Sequence, residues 1–212
     1  MFFFYLNIQS KIIIKSNKTG FSMNTNSNDR QNEIYLKKTF EDLQHRTFLD
    51  SIFENSNFSN SNLTNANFQN CKFINCNLSL ANFEKARLLD VVFKECKILG
   101  VSFFKCDKFL LNINFEKCLI ESCNFADMIL KKTSFLESII RRSDFINTNL
   151  QKANFKKTDL TSTNFHHADL SEADFREAIN YSIDPFNNNL KKAKFSKPEA
   201  YSFLNFFDII IE

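Results

Sequence analysis

An apolar residue at every fifth position is the feature that most constrains how this chain folds. One run extends from Phe48 to Phe103, and a second, shifted by two residues, extends from Leu110 to Phe175. The two runs hold 26 positions, all Phe, Leu or Ile. The positions are Phe48, Phe53, Phe58, Leu63, Phe68, Phe73, Leu78, Phe83, Leu88, Phe93, Ile98, Phe103, Leu110, Phe115, Ile120, Phe125, Leu130, Phe135, Ile140, Phe145, Leu150, Phe155, Leu160, Phe165, Leu170 and Phe175. We therefore predict a structure built from repeated units.

A second position, two residues before each apolar centre, carries small side chains. It holds Ser56, Ser61, Ala66, Cys71, Cys76, Ala81, Ala86, Thr148, Ala153, Thr158, Thr163, Ala168 and Ala173. Arg46, Lys108, Ile113 and Met128 are the exceptions. The residue between the small side chain and the centre is often Asn or Asp, as at Asn67.

A period of five excludes a continuous helix and a continuous strand. A helix would spread the centres around its whole surface, and a strand would send successive centres to opposite faces, because five is odd. The chain must therefore turn about once per repeat. Gly100 is the only Gly or Pro between Phe21 and Asp184, so we predict turns made by Asn, Asp, Ser and Thr through side-chain to backbone hydrogen bonds.

The units ANFQN, ANFEK, ANFKK, ADLSE and ADFRE resemble those of the pentapeptide repeat proteins, and the resemblance covers about residues 43–178. It implies an all-β fold, a right-handed quadrilateral β-helix with one pentapeptide on each side and four in each coil. The apolar centre and the small residue two positions before it would point inward, and the other three residues would face solvent. The C-terminal segment resembles the quinolone-resistance and microcin-immunity branch of the family.

Residues 20 apart sort by type, which supports four-sided coils independently of the resemblance. One column holds only Phe: Phe53, Phe73, Phe93, Phe115, Phe135, Phe155 and Phe175. The opposite column holds Leu63, Phe83, Phe103, Phe125, Phe145 and Phe165, while the other two are mostly aliphatic. We predict that the two-residue shift near 104–109 is a bulge on one corner that keeps Leu110 in the column of Leu88 and Leu130. The 26 repeats make 6.5 coils, a rod about 31 Å long at the spacing of neighbouring strands.

The composition excludes several classes of function. Two Gly and two Pro residues cannot build a dinucleotide fingerprint or a phosphate-binding loop. The chain is formally +3, but three lysines lie before Met23 and 24 basic residues balance 24 acidic ones after it. This balance is not typical of a nucleic-acid-binding protein.

The resemblance raises the possibility of a rod that mimics DNA through an acidic face. The acidic residues just before a centre are Asp107, Asp144, Asp159, Asp169 and Asp174. The last four belong to four different columns and form no stripe, and the basic pairs starting at Lys131, Arg141 and Lys156 also lie on different sides. We therefore expect no simple DNA mimicry, and we expect Glu121 to pair with Arg141, 20 residues later.

The sequence contains no evident catalytic, cofactor or metal site. Cys71, Cys76, Cys96, Cys106, Cys118 and Cys123 all occupy the small inward position. Cys packs there as a small apolar residue, and free buried thiols suit a reducing cytoplasm. His166 and His167 fall in two outward positions with no third ligand evident, and His45 lies where the coil begins. We predict no enzymatic activity, no cofactor and no metal.

Three segments are predicted. Residues 1–32 read as a leader and disordered tail, with Met23 a candidate true start and no signal peptide expected. Residues 33–178 form the β-helix. Residues 179–212 hold a turn at Asp184, a capping helix and a tail. Ser196 to Glu199 read as a capping box with Pro198 in the first turn, and the helix either plugs the coil, joins two copies, or does both.

The resemblance implies a cytoplasmic, non-enzymatic binding protein. One hypothesis is protection of DNA gyrase or topoisomerase IV from quinolone-like or toxin poisoning. The alternative is a scaffold or effector-type rod with an unknown protein partner. In both cases we expect no direct nucleic-acid binding and no membrane contact, and a homodimer through the C-terminal segment is an open alternative.

Overall fold

Residues 20 apart lie side by side in parallel, because the chain completes one four-sided coil in that distance. The computed structural model describes residues 29–210. Its strands are β1 Asp29–Gln31, β2 Ile34–Leu36, β3 Thr47–Leu49, β4 Ile52–Glu54, β5 Asn67–Gln69, β6 Lys72–Ile74, β7 Arg87–Leu89, β8 Val91–Lys94, β9 Lys97–Leu99, β10 Ile113–Glu116, β11 Leu119–Glu121, β12 Ile139–Arg141, β13 Asp174–Phe175 and β14 Lys194–Phe195. Two 3-10 helices span Phe103–Lys105 and Glu199–Phe206. The predicted four-sided β-helix is confirmed.

Each side of the coil is a parallel ladder, and we number the sides in chain order. The first side carries the column of Phe48, the second that of Phe53, the third that of Phe58 and the fourth that of Leu63. The first side contains the sheet β1-β3-β5-β7, the second β2-β4-β6-β8-β10 and, nearer the C-terminus, β13-β14, and the third β9-β11-β12. Elsewhere single bridges join residues 20 apart, as between Asn149 and Asp169.

Stacked phenylalanine rings fill the interior. On the second side, neighbouring rings from Phe53 to Phe175 stack with centroids 4.8–5.2 Å apart. Rings of the fourth side meet them edge to face, as Phe145 meets Phe135 at 5.5 Å and 88°. Such offset and edge-to-face contacts add to the stabilisation from burying the rings. Of the 26 predicted centres, 25 are buried.

The small inward residues satisfy a buried carbonyl of the preceding coil. Thr148 Oγ1 donates to the carbonyl of Phe125 at 2.9 Å, and Ser61 Oγ donates to that of Phe40 at 2.7 Å. A side chain at this position must therefore be short, and a hydroxyl is accepted because it finds a partner. The predicted inward orientation of this position is confirmed.

Each turn depends on two positions, the residue just before the apolar centre and the residue two positions after it. The Asn or Asp before the centre accepts from the backbone two residues on, as Asn57 Oδ1 accepts from the N–H of Ser59 at 3.1 Å. This predicted turn chemistry is confirmed. The residue two positions after the centre is left-handed, and 29 non-glycine residues have φ between 48° and 62°. Asn, Asp and Ser hold 13 of these positions but Lys and Glu hold 11, which the turn prediction did not anticipate.

Leu80 is a poor residue for its corner, and replacing it should stabilise the protein. Its φ is 59° and its side chain is 61% exposed. Asn tolerates the left-handed region better than Leu, so Leu80→Asn should raise the free energy of unfolding by about 1 kcal/mol in urea denaturation. The control is Leu99→Asn, in strand β9, which should give no gain. A loss of stability in the Leu80→Asn variant would contradict this reading of the corner.

The two-residue bulge lies within one side of the coil and not on a corner, where it was predicted. The N–H of Asp107 bonds to Ala86 and that of Asn112 bonds to Leu88, so the two extra residues lie within the first side, between Asp107 and Asn112. Leu110 is consequently 62% exposed instead of buried in the column of Leu88. Half-buried Leu111 packs against the core in its place. The placement of Leu110 in the core was wrong, because spacing alone does not say on which side of the centre an insertion falls.

The coils extend beyond residues 33–178, giving about eight turns instead of 6.5. At the N-terminal end, β1 pairs with β3 and β2 pairs with β4 at an offset of 18 residues. Residues 29–31 therefore form a strand and are not part of a disordered tail, whereas predictions for residues 1–28 lie outside the described residues. At the other end, Phe195 stacks on Phe175 with centroids 5.1 Å apart.

The C-terminal helix covers the last coil. Phe203 packs edge to face on Phe195 at 4.8 Å and lies 6.0 Å from Tyr181. The helical cap is thus confirmed, but the capping box is wrong. The 3-10 helix has no side-chain cap, and Ser196 Oγ instead accepts from the N–H of Glu177 at 3.2 Å. The hydroxyl is engaged by the coil beneath it, which the local sequence could not indicate.

Candidate protein-binding surface

The six cysteines are buried and free, as their register predicted. Cys71 Sγ donates to the carbonyl of Phe48 at 3.3 Å, as the hydroxyls do at the same position. Burial raises the pKa of Cys71 and Cys123 to about 11 and that of Cys106 to about 12. Since the thiolate is the reactive form, these three thiols are poor nucleophiles at neutral pH.

Within residues 29–210, no group of three or more His, Cys, Asp or Glu side chains could hold a metal ion. His166 and His167 are exposed, with ring centroids 4.0 Å apart. Their position facing solvent is the predicted one.

Several ion pairs join neighbouring coils, as between Lys94 and Glu116, and the acidic residues before the centres form no stripe. Asp144, Asp159, Asp169 and Asp174 lie on four different sides, as predicted. Lys117 and Lys157 both approach Glu137, each at 3.7 Å. Pairs of this exposed kind contribute little to stability, but they neutralise one another along the rod.

Arg141 and Glu121 do not pair with each other, contrary to prediction. Glu121 pairs with Arg142 instead. Arg141 Nη2 lies 2.5 Å from Asp159 Oδ2. Burial raises the pKa of Asp159, but hydrogen bonds from Thr161, Arg141 and Asn180 outweigh it and lower the pKa to about 2.

The depressed pKa of Asp159 makes part of the stability dependent on pH. A carboxylate with a folded-state pKa below its unfolded value stabilises the fold above the unfolded pKa, and this contribution is lost as the pH falls towards the folded value. Asp159→Asn should therefore cost about 1 to 2 kcal/mol at pH 7 and nothing near pH 2. Asp144→Asn should change stability by less than about 0.5 kcal/mol, because within residues 29–210 the Asp144 carboxylate accepts a hydrogen bond from Asn164 alone. Urea denaturation between pH 2 and pH 7 measures both; a cost independent of pH would contradict the assignment.

Among the exposed apolar side chains of residues 29–210, we distinguish two groups. The bulge patch consists of Phe109, Leu110 and Ile129, which are 72%, 62% and 66% exposed. The C-terminal patch consists of Phe186, Tyr201, Leu204 and Phe207, at the capped end of the rod. The sequence did not indicate the bulge patch, because its spacing placed Leu110 in the core. Exposed apolar patches of this kind are typical of protein-binding sites.

The structure therefore defines a class: a repeat-built rod whose interior is filled by side chains and whose outer surface is available for binding. Residues 48–97 match the family described as "Pentapeptide repeats (9 copies)", and residues 138–176 match that described as "Pentapeptide repeats (8 copies)". These two stretches of the chain are therefore similar to pentapeptide repeats. No curated protein matches its sequence. Among the described residues, no helix is both long and apolar enough to cross a membrane.

Solved structures share the fold at low sequence identity. Two trypsin-treated variants of QnrB1, a plasmid-mediated fluoroquinolone resistance protein, superpose with TM-scores of 0.68 and 0.58 at 14% identity. The matches cover 87% of this chain and 98% and 100% of the QnrB1 chains. HetL, a pentapeptide repeat protein involved in heterocyst differentiation regulation from the cyanobacterium Nostoc sp. strain PCC 7120, matches at 16% identity with a TM-score of 0.35, covering 77% of this chain and 85% of HetL.

Proposed function

We propose that this protein is a non-enzymatic binding rod that protects a type II topoisomerase, DNA gyrase or topoisomerase IV, from quinolone-like or toxin poisoning. The supporting observation is the solenoid's similarity, over 87% of its length, to the fluoroquinolone resistance protein QnrB1. The six free thiols favour action in a reducing cytoplasm.

The surface favours protein contact over imitation of DNA. Residues 33–178 carry 19 basic and 19 acidic side chains, and many of these pair between coils. A balanced surface does not reproduce the phosphate charge of a duplex. In this proposal the rod binds the enzyme through its apolar patches and does not occupy the DNA-binding groove as a substitute for DNA.

The test is a supercoiling assay with purified gyrase. The purified protein should restore supercoiling inhibited by a fluoroquinolone and reduce drug-stabilised cleavage, in proportion to its concentration. Heat-unfolded protein from the same preparation is the control for nonspecific effects. Absence of protection at a large excess over gyrase, and over topoisomerase IV in the matching decatenation assay, would refute the proposal.

The second candidate is a scaffold or effector-type rod with another protein partner. The exposed bulge patch favours this candidate equally, because apolar surface on the side of a solenoid needs no topoisomerase to explain it. Binding of a peptide probe to the bulge patch, with neither topoisomerase protected, would favour the scaffold or effector rod over the topoisomerase-protecting rod.

We also propose that a second copy docks on the C-terminal patch. Phe186 and Phe207 pack against each other at 5.3 Å but remain 68% and 46% exposed. Light scattering after size exclusion should show a dimer that Phe207→Asp converts to a monomer, while Phe109→Ser leaves the dimer intact. A monomeric protein at all concentrations would contradict this assignment.

A further inference from the structure

The bulge patch lies where the regular surface of the first side is broken. Two coils before the bulge, the outward positions of this side hold the polar residues Asn67, Gln69 and Asn70, and in the adjoining coil the outward Leu89 is half-buried. Around the bulge these are replaced by Phe109, Leu110 and Ile129, all at least 62% exposed. None of these three side chains is needed to fill the core, because Leu130 and half-buried Leu111 occupy the inward space.

The bulge also leaves backbone donors open. In regular coils the N–H of a centre bonds to the next coil, as that of Leu150 bonds to Asp169 at 2.8 Å. Within residues 29–210, the N–H groups of Lys108 and Leu110 have no such acceptor. Leu110 is in addition held at a φ of 57°. A strained apolar residue beside open donors is a feature found at binding sites.

Three lysines lie near the patch. Lys131 and Lys132, on the next coil of the same side, are exposed and form no ion pair with any residue of the described chain. Lys108 Nζ donates to the backbone carbonyl of Asp127 at 2.9 Å and forms no ion pair within residues 29–210. Of the nearby carboxylates, Asp107 pairs with Arg87, and Asp90 and Asp127 accept hydrogen bonds from Asn112 and Asn147.

We propose that the bulge patch binds an acidic protein segment that carries an apolar side chain. The apolar side chain would cover Phe109, Leu110 and Ile129, and the carboxylates would meet the lysines and the open N–H groups. Carboxylates complement both kinds of donor, and charge-assisted hydrogen bonds are the stronger ones. This inference rests on the proposal that the protein acts by binding another protein, and not on that partner being a topoisomerase.

Fluorescence anisotropy with three labelled peptides tests the proposal. The first alternates Glu with Leu and Phe, the second replaces Leu and Phe by Ser, and the third replaces Glu by Lys. The full-length protein should bind the first peptide at least about tenfold more tightly than the other two. The variants Phe109→Ser with Leu110→Asn, and Lys131→Glu with Lys132→Glu, should each weaken that binding about tenfold.

The matched control is Leu80→Asn, which removes an exposed leucine from a different corner and should leave the affinity unchanged. Thermal unfolding confirms that each variant is folded. The proposal is overturned if the first peptide does not bind, if all variants bind it equally, or if vesicles containing phosphatidylglycerol bind the patch and the peptide does not. Peptide binding without topoisomerase protection would refute only the proposed target, whereas full protection by the patch variants would refute only the docking surface.

Discussion

Replacing Phe125 by Ala should lower the free energy of unfolding by about 4 kcal/mol. Its ring is fully buried and stacks on Phe103 and Phe145, with centroids 4.8 and 4.7 Å away. It also meets Phe115 and Phe135 edge to face. The closely spaced coils cannot collapse onto the space left, because their backbones are held apart by ladder hydrogen bonds. Urea denaturation followed by circular dichroism measures the loss.

Phe109→Ala is the matched control for this prediction. Phe109 is 72% exposed, so its removal should change stability by less than about 0.5 kcal/mol. Similar losses for the two variants would show that the ring stack is not the main source of stability. A broad, two-step transition in the Phe125→Ala variant is consistent with the prediction, since stability in a solenoid is a sum over neighbouring coils.

Leu130→Ala should cost about 3 kcal/mol, whereas Leu110→Ala should change stability by less than about 0.5 kcal/mol. Both leucines belong to the same column by sequence spacing, but Leu130 is 2% exposed and Leu110 is 62% exposed. The pair therefore tests directly where the extra residues of the bulge lie. Thermal and urea unfolding of the two variants under the same conditions measures the difference.

A large loss in the Leu110→Ala variant would mean that Leu110 reaches the core and that the bulge lies elsewhere. In that case the bulge patch would lose one of its three side chains, and the inferred docking surface would be weakened with it. Equal and small losses in both variants would instead indicate that the core adapts to the missing side chain at Leu130.

Much of the fold could be predicted from the sequence because every repeat has the same five-residue pattern. Neither a continuous helix nor a continuous strand can place that pattern on one face. An odd period sends a strand's side chains to the wrong face unless the chain turns, and the Asn or Asp before each centre supplies a turn acceptor, as at Asn57. Comparing residues 20 apart in the sequence then identifies which apolar centres stack on one another, as Phe53 and Phe73 do. These are local rules applied many times, so single exceptions do not obscure them.

The errors occur where the repeat is interrupted. Leu110 keeps the period but not the burial, and Ser196 has the pattern of a helix cap but bonds to Glu177. Strand β1, before the predicted start at residue 33, was missed because the first coil is 18 residues long and lacks the repeated letters. Each of these outcomes depends on a contact with a neighbouring coil, and the local sequence pattern gives no information about that contact.

The sequence by itself determined the four-sided coil, the buried columns, the inward thiols and the absence of a single charged stripe. These follow from side-chain size and turn chemistry within each five-residue unit. Only the tertiary structure decided where the coil begins and ends and which way the bulge faces, because backbone hydrogen bonds between coils set the register. It thereby decided that Phe109, Leu110 and Ile129 are all exposed on the first side of neighbouring coils, and the inferred binding surface depends on that placement.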